Sequence, residues 1–343
     1  MRRLLNTLFV SSPDLYLALE GENIILKREQ EIVARYPLHT LSSIISFSYL
    51  GASPALMGAC ARRQIGLSFC KPSGRFLARI CGESNGNVLL RRTQYRWADD
   101  EELSCQVARA MIGAKVYNCR WSIERTLRDH GLRVNKDHLQ EVSQQLKSLL
   151  QPIAQTTDLD SLRGLEGGAA NIYFGIFEEL ILGDRLLFAF IGRNRRPPLD
   201  PVNALLSFAY TLLASDCASA LESVGLDAYV GFLHRDRPGR RSLALDLCEE
   251  LRPCLAERFV LTCINNRIFK RDDFEFQPTG AVLLGDDGRR LFLRRWQERK
   301  QETLTHPYLQ EKIPWGLVPY LQALLLARYL RGDLDAYPAF LWK

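Results

Sequence analysis

The chain has 343 residues, 47% of them hydrophobic and 24% charged, enough to bury a substantial core and of a length that commonly divides into two domains. Its 45 lysines and arginines against 39 acids leave a net charge of +6, which leans toward a polyanionic partner without specifying one. Nine scattered cysteines without a CxxC pair argue against a zinc ribbon or a disulfide framework and for a reduced, cytoplasmic protein, and no apolar run reads as reaching the roughly 20 residues that span a bilayer.

In chain order, Met1-Arg2-Arg3-Leu4-Leu5 has some character of a secretory leader. Asn6, Thr7 and Asp14 interrupt it and no small-residue cleavage site follows, so residues 4–10 read as a first strand. Strands follow at 16–19, 24–27 and 32–36, with Glu20-Gly21-Glu22 at a hairpin turn. Ser53-Pro54 predicts a helix start, with Ser as cap and Pro at the first helical position. Strands at 66–69 and 76–80 flank Gly74.

Beyond the polar stretch 83–87 the pattern turns helical. Residues 99–130 carry Val107, Met111, Ala114, Val116, Trp121 and Leu127 at steps of three and four. Further helices are predicted at 137–150, 162–182, 201–224, 243–265 and 314–331. Asp286-Asp287-Gly288 between 281–284 and 290–293 predicts a β-hairpin. The expectation is an α+β protein: a small β domain over 1–90, then a larger helical domain over 91–343 that carries the chemistry.

Three segments of the helical part concentrate candidate residues. In Arg163-Gly164-Leu165-Glu166-Gly167-Gly168-Ala169-Ala170, a carboxylate is followed by four tiny residues, although each glycine costs a helix about 1 kcal/mol relative to alanine. Small residues let another backbone or a ligand come close. The bland alternative is tight helix packing with Glu166 a solvated bystander. In Gly231-Phe232-Leu233-His234 an imidazole ends an apolar run and opens a turn bearing Arg235, Arg237, Arg240 and Arg241. That imidazole can ligate a metal or move a proton, and the guanidinium groups suit phosphate oxygens. In the segment 243–253, Asp246 shares a helix face with Glu249 or Glu250, and spacing alone does not choose between them; a solvated acidic face is the alternative. Carboxylates with one imidazole suit Mg²⁺ or Mn²⁺, the imidazole favouring Mn²⁺, better than zinc with its preference for Cys and His.

On these residues the chain resembles the CRISPR-associated endonuclease-integrase of spacer acquisition, the first-numbered Cas protein, most like its subtype I-C version. The resemblance is carried by 163–174, by Arg195-Arg196-Pro197-Pro198 leading to Asp200-Pro201-Val202-Asn203-Ala204-Leu205-Leu206-Ser207, by Gly225-Leu226-Asp227 running to His234, and by 242–253. It implies that Glu166, His234 and Glu249 are the metal ligands, with Asp246 an assisting catalytic carboxylate, which settles the choice between Glu249 and Glu250. It also implies an N-terminal β-sandwich that dimerises and a C-terminal all-α catalytic domain. The expected assembly is two homodimers clasping a dimer of the small second-numbered Cas protein along double-stranded DNA.

The function expected from the resemblance is insertion of short DNA fragments into a CRISPR array, as part of antiviral defence, by 3′-hydroxyl attack on a phosphodiester at a Mg²⁺ or Mn²⁺ site. DNA contacts are expected from Arg195, Arg196, Arg235, Arg237, Arg240 and Arg241. The run Arg289, Arg290, Arg294, Arg295 and Arg299 reads instead as a solvated face. Two rivals remain: a non-catalytic DNA-binding scaffold, which leaves the acids beside the arginines unexplained, and a hydrolase of small phosphoesters, which needs a closed pocket.

Overall fold

A computed structural model of the chain describes residues 7–41, 43–63, 65–71, 76–80, 82, 88–194 and 197–343. The expectations placed on residues 4–6, Gly74, 83–87, Arg195 and Arg196 lie outside the described residues.

The N-terminal part is β-rich. Strands β2 (Tyr16–Glu20), β3 (Asn23–Arg28) and β4 (Glu31–Pro37) form an antiparallel meander. Gly21, at φ +57°, supplies the left-handed residue that the tight turn between β2 and β3 requires. A second sheet runs in the order β1 (Thr7–Val10), β5 (Ser43–Ser46), β6 (Gly66–Cys70), β7 (Phe76–Ile80). β5 pairs parallel to both β1 and β6, and β7 runs antiparallel to β6. The reading of the sequence missed β5, a short Ile44-Ile45 pair between serines. Helix α1 (Pro54–Arg62) begins where expected, and the Ser53 hydroxyl accepts from the Leu56 N–H.

Leu17, Ile24 and Leu26 of the meander, Ile44 and Leu67 of the second sheet, and Leu56 of α1 share one buried core. Ile45, Phe47 and Cys70 belong to the core of the helical part instead. Phe47 meets the Phe208 ring at 6.0 Å, and the Lys300 ammonium links Asp216 (3.1 Å) to Thr7 (3.3 Å). The β-rich part is thereby packed onto the helices.

The helical part comprises α2 (Val88–Asp99), α3 (Glu101–His130), α4 (Lys136–Gln155), α5 (Leu159–Gly175), α6 (Pro201–Ser223), α7 (Ser242–Leu251), α8 (Arg258–Asn265), α9 (Asp286–Gln301) and α10 (Val318–Leu330). Asp100, Asn135, Asp158 and Asp200 cap α3 to α6 by accepting main-chain N–H groups of the first turn. Two short ladders interrupt this part, β8 (Phe274–Phe276) with β9 (Val282–Leu284) and β10 (Thr303–Thr305) with β11 (Lys312–Pro314), so it is not purely helical.

Three expectations change. α6 is 23 residues long and apolar enough by composition to cross a bilayer, but two thirds of its most apolar window (67%) is buried inside the protein, as in a core helix. The hairpin expected around Asp286-Asp287-Gly288 is helix α9. Its two aspartates occupy the first turn, where a helix N-terminus favours acids, and Phe292, Leu293 and Trp296 form its buried face. Gly288 is required there, because a Cβ would collide with the Asp273 main chain. Finally, the single helix expected over 243–265 is α7 and α8 joined by a π-helical turn over Arg252–Glu257. Pro253 has no N–H to offer the carbonyl four residues back, which disfavours regular α geometry at that point.

After α10 the chain returns as a strap over α3 and α7. Phe340 N–H donates to Glu250 Oε2 (2.7 Å), Trp342 N–H donates to Asn118 Oδ1 (2.8 Å), and Asn118 Nδ2 donates to the carbonyls of Glu250 and Phe340.

Candidate metal centre

Four elements converge: α5 with Glu166, the loop 225–241 with His234, α7 with Asp246 and Glu249, and α3 with Lys115. The loop is held from two sides. Gln94 of α2, fully buried, donates to the carbonyls of Asp227 and Val230 (both 2.8 Å) and accepts from Asp227 N–H. Farther along, Arg163 of α5 donates to the Leu233 carbonyl through Nε (3.0 Å) and Nη2 (2.7 Å). That ties the helix of Glu166 to the loop of His234.

Asp246 is fully buried and fully engaged. Its Oδ2 accepts from the N–H groups of Phe232 (2.6 Å) and Leu233 (3.0 Å). Its Oδ1 accepts from His234 N–H (3.0 Å) and lies 2.6 Å from His234 Nδ1. A carboxylate can only accept, so Nδ1 carries the proton and the ring's lone pair sits on Nε2. A histidine whose other nitrogen donates to a carboxylate is the usual arrangement of a metal-ligating imidazole. Gly231 makes this possible, since a Cβ there would come within 2.8 Å of Asp246 Oδ2 and of Ser242.

His234 Nε2 lies 4.0 Å from Glu249 Oε1. Arg252 pairs with that same oxygen at 2.5 Å, and Lys115 lies 2.7 Å from Glu249 Oε2. The Lys115 ammonium is thus the charged neighbour of the buried Oε2. Lys115 also pairs with Glu166 Oε1, so Glu166 and Glu249 share one ammonium. Burial alone would raise the Glu249 carboxyl, but Arg252, Lys115 and His234 outweigh it and hold it down at about 2. Burial likewise works against the Lys115 charge, and the two carboxylates more than restore it.

Glu166 and Glu249 thus flank the Lys115 ammonium, and His234, with Asp246 behind its imidazole, faces Glu249. Glu250 points the other way. Its Oε1 accepts from Tyr337 Oη (2.5 Å) and Gln322 Nε2 (3.2 Å), its Oε2 from the strap, and burial pushes its carboxyl up to about 7. Among the described residues no three His, Cys, Asp or Glu side chains are drawn close enough together to hold a metal ion, and the Lys115 ammonium stands between the two glutamates. The donor chemistry nevertheless suits a hard divalent cation: two carboxylates and an imidazole of defined tautomer.

Lys115 and Arg252 went unnoticed in the sequence. The available signal for Lys115 is its place in α3, whose residues Ala114, Val116, Asn118 and Cys119 are all buried; a lysine in such a helix needs a paired charge.

The glycines of α5 do not serve close packing. A Cβ at Gly164, Gly167 or Gly168 would meet nothing within 4 Å, so the helix is open beside Glu166. Arg235 and Arg237 are exposed and Arg240 is half-buried. Arg235 is partly neutralised by Asp160 at 2.8 Å. Arg241 turns inward, where burial and Arg79 lower its pKa, close to Cys70 and Tyr229. The arginines of α9 are largely paired locally, Arg290 with Asp287, Arg295 with Glu298 and Arg299 with Glu302, but the expected solvated face holds only in part: Arg289 is buried, pairs with Asp286 and lies over the Phe47 ring, and Arg299 lies over Trp315. A cavity of about 410 Å³ between the β-rich part and α6, lined by Arg79, Glu222 and Tyr229, contains none of the four candidate residues.

Residues 8–298 match the family described as CRISPR associated protein Cas1. The chain is 49% identical to a CRISPR-associated endonuclease Cas1 of Rhodospirillum rubrum, with all of both sequences covered. Its fold superposes on a Cas1 protein from Thermotoga maritima with a TM-score of 0.81 at 20% identity, covering 97% of this chain and 99% of that one. It also superposes on a chain of a Cas6-RT-Cas1–Cas2 complex with a TM-score of 0.81 at 25% identity, covering all of this chain and 36% of the other.

Proposed function

The chain belongs to the Cas1 family of CRISPR-associated endonucleases, and from that premise we propose that it integrates short DNA fragments into a CRISPR array at a divalent-metal site held by Glu166, His234 and Glu249. The observation that carries the site assignment is the clamp of Asp246 on His234 Nδ1, which aims Nε2 at Glu249.

Bound at these three residues, Mg²⁺ or Mn²⁺ would polarise a non-bridging phosphoryl oxygen and offset the charge that grows on it. The residues do the positioning. Asp246 holds the imidazole in one tautomer and one orientation, and with both its oxygens occupied it is a positioning residue rather than a proton acceptor for the nucleophile. Arg252 fixes the Glu249 carboxylate through Oε1, the oxygen that faces His234, and Arg163 keeps α5 in register with the loop. The open face of Gly164, Gly167 and Gly168 leaves room for a DNA strand next to Glu166. In integration the fragment's 3′-hydroxyl forms the new bond to phosphorus, the bond to the repeat's 3′-oxygen breaks, and that oxygen takes up the proton. With water as the nucleophile the same site cuts.

Arg235, Arg237 and Arg240 hold phosphates along this path, with Arg195 and Arg196 as further contacts. Arg241 contributes structure more than binding, given its inward position. The assembly we infer is a homodimer joined through the N-terminal domain, 1–90, with the catalytic domain over 91–343 and a dimer of the second-numbered Cas protein bridging two such pairs. A Cas1-containing chain similar to this one occurs in a complex with Cas2. The subtype I-C assignment and a cytoplasmic location belong to the same reading. The test is strand transfer of a labelled duplex into a repeat-bearing plasmid with Mn²⁺. Alanine at Glu166, His234 or Glu249 abolishes it in a folded protein, and full activity in any of the three removes that residue from the ligand set.

A further inference from the structure

Lys115 plays no part in the chemistry described above, yet it occupies the centre of the site. Its side chain is 9% exposed, and its ammonium is shared by Glu166 and by Glu249, itself 3% exposed. Arg252, 16% exposed, holds the other oxygen of Glu249. Asp246 is spoken for by three main-chain N–H groups and the imidazole. The partly exposed Glu166 (27%) and the buried Glu249 therefore face Lys115 and Arg252, so the two glutamate charges are already matched by two cationic side chains.

A divalent cation entering alone adds two positive charges beside an ammonium and a guanidinium that are both largely removed from water, where repulsion is weakly screened. A phosphodiester brings negative charge to the same point and reduces that repulsion. We propose that Lys115 is a resident counter-cation that makes divalent-ion binding depend on DNA: alone the ion competes with the ammonium for Glu166 and Glu249, and with a DNA phosphate present both cations are accommodated. Because coupling between two ligands is reciprocal, the ion strengthens DNA binding by the same factor. The inference rests on Glu166, His234 and Glu249 being the ligands.

Binding of MnCl₂ to the full-length protein, followed by the spectroscopic signal of free Mn²⁺, with and without a short DNA duplex, tests this. The wild type binds Mn²⁺ at least tenfold more tightly with the duplex than without it. Lys115→Gln, which removes the ammonium and keeps a polar side chain of similar reach, binds Mn²⁺ alone at least tenfold more tightly than the wild type, and the gain from DNA shrinks. Lys115→Arg keeps the weak DNA-free binding. A merely structural lysine cannot produce tighter binding when removed. Equal or weaker Mn²⁺ affinity in folded Lys115→Gln, or equal wild-type affinity with and without duplex, overturns the proposal; the wild-type comparison decides should the variant not fold. His234→Ala separates the two readings. If it leaves Mn²⁺ binding untouched in the presence of DNA, the ligand assignment itself fails. If it abolishes binding while Lys115→Gln changes nothing, only the role of Lys115 falls.

Discussion

His234 Nδ1 sits 2.6 Å from Asp246 Oδ1, and the same carboxylate receives the main-chain N–H groups of Phe232, Leu233 and His234 itself. One buried side chain thus sets the loop, the ring's orientation and the ring's tautomer. Asp246→Asn replaces an oxygen with an N–H₂ that faces donors, leaving part of this set unpaired. The expected loss is about 1–3 kcal/mol of stability and roughly 10–100-fold in metal affinity or strand transfer, read from urea unfolding and a Mn²⁺ titration. Full retention of both would detach Asp246 from His234 function.

Glycine positions on either side of the site respond in opposite senses. Gly231→Ala drives a Cβ to 2.8 Å from Asp246 Oδ2 and Ser242, so the loop shifts, at a cost of about 1–3 kcal/mol, and strand transfer falls with it. Gly168→Ala meets nothing within 4 Å on an exposed helical turn and raises stability by about 0.5–1 kcal/mol. Melting temperatures of the two variants against the wild type check the sign of each.

Adjacent glutamates carry opposite pH dependences. Burial lifts the Glu250 carboxyl to about 7, so the folded state holds a proton that the unfolded chain releases near its ordinary value of 4.5. The stabilisation is complete below that value and is lost as pH rises through about 7, on the order of 3 kcal/mol in total. Glu249, held at about 2 by Arg252 and Lys115 against burial, stabilises above the ordinary value and loses its contribution as pH falls toward 2. Glu250→Gln mimics the protonated form. In denaturant unfolding at pH 5 and pH 8, the wild type is the more pH-sensitive of the two, losing relative stability at pH 8. Parallel pH dependences would show that Glu250 is not the titrating group.

The C-terminal strap holds α3 and α7 together behind the site. Phe340 is fully buried, and its N–H serves Glu250, while the Arg125 guanidinium lies 3.9 Å from the centre of the Trp342 ring. Phe340→Ala is expected to cost about 3–5 kcal/mol through the cavity it leaves, measured by chemical denaturation. A loss below 1 kcal/mol would mean the strap is not part of the folded core.

Exposed and buried arginines should separate in salt titrations of DNA binding. Arg237→Glu and Arg240→Glu weaken binding and flatten the dependence of log K on log salt by about one per lost phosphate contact. Arg241→Gln, at an inward-facing position, lowers thermal stability and leaves the salt slope unchanged. Reversal of that pattern would relocate the DNA path.

Apolar periodicity carried α3, α4 and α6, while the Gly21 turn and the Ser53-Pro54 cap marked the β2–β3 hairpin and α1, because such signals act on neighbours within a few residues. The same local reading failed at α9, where Asp-Asp-Gly is equally a turn and an acidic first helical turn, and only packing of Phe292 and Trp296 against Phe259 chose the helix. It failed again at the π turn, where Pro253 disrupts a run that looks uniformly helical. The family resemblance pointed to Glu166, His234 and Glu249 in segments far apart along the chain. How they are held depends on groups from elsewhere in the sequence: Lys115 from α3 between the two glutamates, Asp246 twelve residues beyond the histidine it clamps, and Gln94 and Arg163 on the loop. Charge pairing and hydrogen bonding act through space over a few ångströms, so a lysine fifty-one residues from one partner acid and far from the other acquires its role only once α3, α5 and α7 pack together.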